Sequence, residues 1–159
     1  MANERKPVVI IPEEKAVFRL DKNGIWRSRS DGGKFTNQRI SDYFHSLIKK
    51  DQSGFFLEQE HKDYIERVYF PYEDTAFFVN RIIESDGLTL CTNTAKRIKL
   101  DPEKLLIKNE HLYIQCEGDL IKFNENALLS LADYMDEVNR QYVISSVMKG
   151  KKNIMLVIR

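Results

Sequence analysis

Cysteine is scarce in this chain: Cys91 and Cys116 are the only two among 159 residues. A disulfide framework is therefore excluded as the source of stability. Both thiols sit in strand-like runs, LTLCT and LYIQC, with no cationic cluster beside them, and read as small buried hydrophobes rather than a redox pair. Long apolar runs are also missing. The longest near the start, Val8-Val9-Ile10-Ile11, is cut by Pro12 and followed by Glu13-Glu14. It is too short for the core of a signal peptide, and no run approaches the roughly 20 apolar residues that a membrane-crossing helix needs. We therefore expect a cytoplasmic protein with no membrane span. An excess of one charge is absent too: 25 Lys and Arg face 24 Asp and Glu. This excludes the salt-sensitive grip on phosphate backbones that defines general nucleic-acid binding.

The chemistry-bearing patterns are equally thin. His45, His61 and His111 are the three histidines, and none has a ligand-type partner two or four residues away, so no metal site is expected. There is no glycine-rich phosphate loop ending in Lys-Ser or Lys-Thr and no Gly-x-Ser-x-Gly elbow. We nominate no catalytic residue and no cofactor, and the reading leans away from an enzyme.

What the chain does have is core material: 42% of residues are hydrophobic, including nine Phe and seven Tyr. The length suits one core or two small fused halves. AVFRL (16–20) and IWRSR (25–29) flank Asn23-Gly24 as the arms of a hairpin, with those two residues taking the positive-φ positions. Thr36 or Asn37 then caps a helix whose stripe is Ile40, Tyr43, Phe44, Leu47 and Ile48, ending around Lys49-Lys50, with His45 on its polar flank. From 55 to 123, eight short apolar runs alternate with Gly, Pro, Asp and Asn clusters, which predicts a curved, antiparallel meander. AFFVNRII reads as its central strand, covered on both faces. Asn124 caps a second helix with Leu128, Leu131, Met135 and Val138 on one stripe. QYVISSVM and IMLVIR read either as a last hairpin with Lys149 to Lys152 at its tip or as a helix extension followed by a strand, and their β-branched content favours the hairpin.

Two phrases share a grammar. KFTNQRISDYFHSL (34–47) superposes on KFNENALLSLADYM (122–135) with Thr36 on Asn124 and Ile40 on Leu128. Any strand entering a helix needs a cap and a stripe, so duplication and coincidence both remain open. If the phrases are duplicated, each unit is a curled sheet with a helix packed over it.

The order GIWRSRSDGG, ISDYFHSLI, DQSGFFL, YFPYEDTAFFV, LTLCTN, LLIKNEHLYIQ resembles the bacterial domain of unknown function twelve-eighty-five, over about residues 17 to 135. YEDTAFFV (72–79), followed by Thr92-Asn93, is its most specific piece. The resemblance implies an α+β protein of two related sheet-plus-helix units, mostly antiparallel and curved, the second unit pleckstrin-homology-like. It also implies a small, nucleotide-like ligand between the halves, a signalling role and no established enzymatic activity. We expect units at 1–70 and 71–159.

The candidate ligand-binding residues are Trp26, Arg27, Arg29, Asp74, Phe77, Thr92 and Asn93. On a strand Arg27 and Arg29 share one face and could hold an anion while Trp26 takes the other, or they are solvated opposite a core tryptophan. Asp74 could touch a ligand or bond turn amides, and Thr92-Asn93 could face a ligand or close their own backbone. Three function classes follow: a module binding a small anionic or nucleotide-like ligand, which leads, a domain that binds another protein, and an enzyme with an unfamiliar, hydrolytic site.

Overall fold

The structure is a computed structural model describing residues 5–138, 141–148 and 151–157, with side chains to residue 135. It is an α+β protein of two compact units, 1–76 and 77–159.

The first unit holds β1 (Val8–Ile11), β2 (Phe18–Leu20), β3 (Trp26–Ser28), α1 (Gln38–Ser46), β4 (Ile48–Asp51), β5 (Gly54–Glu60) and β6 (Ile65–Tyr69). Its main sheet runs β1-β6-β5-β4, antiparallel except that β1 lies parallel to β6. The expected hairpin is β2–β3, but only Gly24 of its turn takes a positive φ. The turn is closed instead by Asp21, whose Oδ1 accepts from Asn23 N and Ile25 N. Trp26, Leu20 and Phe70 are fully or almost fully buried. Phe18, Phe44 and Phe70 surround the indole edge-to-face, with ring centroids 5.5, 5.6 and 4.9 Å away, the arrangement that aromatic quadrupoles favour.

Two expectations fail at α1. Asn37 caps it through Oδ1 as anticipated, but the helix ends at Ser46 and Ile48–Asp51 pairs with β5. Its packed face is not the expected stripe either: Ile40 and Tyr43 are exposed, whereas Phe44 and His45 pack on Trp26. His45 is therefore not on a polar flank.

The unit boundary falls at Ala76, beyond the expected residue 70. Phe70 belongs to the aromatic core, and Pro71 to Glu73 run beside β2, where Leu20 N donates to Pro71 O and Glu73 N to Leu20 O.

The second unit holds β7 (Phe78–Glu84), β8 (Leu88–Thr92), β9 (Arg97–Lys99), β10 (Leu105–Lys108), β11 (His111–Cys116), β12 (Asp119–Phe123), α2 (Glu125–Ala132), β13 (Met135–Val138), β14 (Gln141–Met148) and β15 (Lys151–Val157). The six-stranded sheet is ordered β10-β11-β12-β7-β8-β9. It is two antiparallel meanders joined by a parallel β7–β12 pair, not one continuous meander. β7 is central as expected, and at its start Phe78 and Val79 are both buried, so both faces are covered there. Asn80 and Arg81 are exposed at an irregularity between Val79 and Arg81. Val79, Leu88, Leu90, Ile114, Phe123 and Leu131 form the buried centre of this unit.

Asn124 Oδ1 accepts from Ala127 N and starts α2, which buries Ala127 and Leu131. The helix stops at Ala132, so Met135 and Val138 belong to β13 instead of the helical stripe. β14 and β15 pair antiparallel, as the hairpin alternative has it; residues 149 and 150, on which part of the expected tip falls, lie outside the described residues. The repeated phrases share the passage through an asparagine cap into a helix. The caps are Asn37 and Asn124, so the superposition that matched Thr36 with Asn124 is one residue out of register. Among the described residues no helix is long and apolar enough to cross a membrane.

Candidate functional site

The arginines expected to hold an anion use their donors inside the first unit. Arg27 Nε donates to Asp21 Oδ2 at 2.7 Å and a terminal nitrogen to Gly32 O at 3.0 Å. Arg29 donates to Glu13 O and Ala16 O at 2.7 and 2.9 Å. Asp21 is 5% exposed. Burial alone would raise its pKa, but the bonds from Arg27 and the Ile25 and Asn23 amides outweigh that and hold it below the ordinary carboxylate value. Trp26 lies on the opposite side of the strand in the aromatic core, and its Nε1 has no hydrogen-bond partner among the described residues.

Asp74 is exposed. Its neighbour Glu73 does the joining: Oε1 accepts from Arg19 at 3.0 Å and Oε2 from Lys22 N at 2.7 Å, tying the exit segment to the β2–β3 hairpin.

Of the three candidates in the second unit, Phe77 and Thr92 come together. β7 and β12 begin, and β8 and β11 end, around one open end of the core, where a pocket of about 380 Å³, counted to its mouth, is lined by residues of this unit. Phe77, Ile98 and Ile121 give apolar surface; Thr92, Thr94, Lys96, Cys116, Glu117 and Asp119 give the polar part. Thr92 faces inward because it continues the alternation of Leu88 and Leu90 along β8. Its Oγ1 accepts from Lys96 N at 3.1 Å and lies 3.2 Å from Thr94 Oγ1. Asn93 does not line the pocket. Its Oδ1 accepts from Phe78 N at 2.9 Å while its own N–H donates to Phe78 O, so the side chain completes the β7–β8 pairing.

Phe77 and Thr92, singled out in the sequence, line this pocket, and its two acids were not singled out. Glu117 and Gly118 form a two-residue hairpin loop with φ of +51° and +85°, and such residues read as turn formers in a sequence. Ala95, at φ +64°, bends the β8–β9 loop that carries Thr94 and Lys96. No histidine lines the pocket. Among the described residues no group of three or more His, Cys, Asp or Glu could hold a metal ion.

No protein-family model and no curated protein matches the chain. Among solved structures it resembles two crystal structures. A DUF1285 family protein from Silicibacter pomeroyi DSS-3 is 14% identical with a TM-score of 0.58, over 97% of this chain and 85% of that one. A DUF1285 family protein from Shewanella baltica OS155 is 16% identical with a TM-score of 0.52, over 76% of this chain and 94% of that one. The molecule is thus an α+β protein of two sheet-rich units. Its fold is that of the DUF1285 family proteins, the likeness its sequence carries.

Proposed function

We propose that the protein is a cytoplasmic, non-catalytic module that binds a small molecule, as its sequence resemblance implied, with the ligand seated in the pocket at the open end of the second unit. The pocket carries this reading: its apolar floor of Phe77, Ile98 and Ile121 with a rim of hydroxyl and charged groups is the usual composition of such a site. Support for a non-catalytic role comes from the lining, which has nucleophile types in Cys116 and the threonines but no histidine to activate them. The second unit then acts as a pleckstrin-like platform, and a signalling role would follow from ligand-dependent stability.

Charge narrows the ligand. Glu117 and Asp119 outnumber Lys96 on the rim, and Arg27 and Arg29 are held internally. A compact amphipathic molecule with a neutral or amine-bearing polar end suits this rim better than a nucleotide. Thermal-shift screening of such molecules alongside nucleotides tests the reading. A ligand at a hundred times its Kd should add about 2.7 kcal/mol, and Ile98→Glu, which charges the floor, should abolish the shift. Indifference to the whole panel, or a shift that survives Ile98→Glu, overturns it.

A second reading, a protein-interaction domain with no small ligand, is favoured by one observation: Val8, Val9 and Ile10 are 43, 44 and 59% exposed on the edge of the first sheet.

A further inference from the structure

β1 closes one edge of the first sheet, and its sequence is unusual for such a place: four consecutive apolar residues with no charge among them. Edge strands are normally protected by charge, by proline or by a covering element, since their unpaired amides offer a template to another chain. Here Pro7 and Pro12 bound the strand but leave its middle open. The direction of the amides follows from the pairing with β6. Ile65 N donates to Pro7 O, so the backbone groups of Pro7, Val9 and Ile11 turn toward β6 and those of Val8 and Ile10 turn outward. No described residue bonds the outward pair.

We propose that β1 pairs antiparallel with β1 of a second copy of this chain, continuing the four-stranded sheet across a two-fold axis. Parity fixes the register. Residues opposite one another in an antiparallel pair must both turn their amides inward or both outward. Val8 therefore faces the other copy's Ile10, and Val9 faces its own counterpart on the axis. The two Val8–Ile10 pairs each exchange two backbone hydrogen bonds, and the ladder stops there, because Pro12 has no N–H and its carbonyl already accepts from Lys15 N at 3.0 Å. The flanks then match in charge. The basic entry, Arg5-Lys6, runs toward the acidic exit, Glu13-Glu14, of the other copy, which opens a short 3-10 turn just past Pro12. A parallel pairing would set Arg5 beside Arg5 and Glu13 beside Glu13. Strand, register and charge thus agree on a self-complementary partner, which an unrelated chain would match only by chance. Four residues a side bury little area, so the dimer is a weak one that forms as concentration rises.

Sedimentation equilibrium of the full chain across a wide concentration range is the test. The expected result is a reversible monomer–dimer equilibrium. Ile10→Pro removes an outward N–H without touching the β6 pairing and should weaken the dimer about tenfold or more, since the bond is lost twice over. Arg5→Glu should weaken it and Arg5→Glu with Glu13→Arg should restore it, each variant keeping the wild-type circular dichroism spectrum. A chain that stays monomeric throughout overturns the proposal. So does a dimer indifferent to Ile10→Pro, a charge reversal without rescue, or an edge that accepts an extended peptide of another sequence while copies of the chain ignore one another.

Discussion

The imidazole of His45 packs on the indole of Trp26, with ring centroids 5.4 Å apart, at the base of an aromatic core. Burial is the largest influence on this histidine and drives its pKa from 6.5 down to about 4, against the opposing pull of Asp42 and a backbone bond to Gly24.

That depression makes stability depend on pH in a defined window. Above pH 6.5 the folded and unfolded chains both carry neutral His45, and its packing is fully available. As the pH falls from 6.5 toward 4 the unfolded chain takes up a proton that the folded one refuses, so stability declines, by roughly 3 kcal/mol in all. Urea unfolding at intervals from pH 7.5 to 4 should show this loss. In His45→Gln the part of the slope between these values should disappear; an unchanged slope in that variant would refute the assignment.

The two-residue loop between β10 and β11 places Asn109 and Glu110 at φ +51° and +67°. Asparagine tolerates this region, but glutamate is strained there. Glu110→Gly should therefore stabilise the second unit by about 0.5–1 kcal/mol despite the greater freedom of glycine in the unfolded chain. The converse holds at Gly118, φ +85°, where an added Cβ meets nothing within 4 Å. Gly118→Ala should cost about 1 kcal/mol, purely for conformational reasons. Thermal unfolding of the two variants should move in opposite directions.

Asn93 is a structural rather than a ligand-contacting residue in this fold. Asn93→Ala removes the acceptor of the buried Phe78 N–H and should cost about 1–3 kcal/mol. Thr94→Ala, on the pocket rim a residue away, should stay within about 0.5 kcal/mol. Equal losses in chemical denaturation would mean that the Asn93 bond is not what holds β7 to β8.

Much of the fold was legible in the sequence because its signals are local. Period-two apolar runs between Asn, Asp and Gly turns located all eight strands from β5 to β12, and Asn37 and Asn124 announced both helix starts. The helix ends were not legible. Leu47-Ile48 and Met135 to Val138 prolong an apolar pattern that a helix or a strand can use, and pairing with β5 and β14 decides for strands. His45 was misplaced for a related reason, since the helix turns Phe44 and His45, not Ile40 and Tyr43, toward Trp26. Of the pocket, Phe77 and Thr92 were within reach of the sequence. Lys96, Glu117 and Asp119 were not, because what gathers them is the parallel pairing of strands far apart in the chain.

That pairing also sets an order of events for a growing polypeptide. Lys122 lies beside Phe78 across a separation of 44 residues, so β7, β8 and β9 leave the ribosome as a half-built sheet whose free margin waits for β12. Nascent chains arrested before residue 119 carry that margin bare. Those released beyond α2 can cover it, which makes the arrival of β12 the step that commits the second unit to its native form.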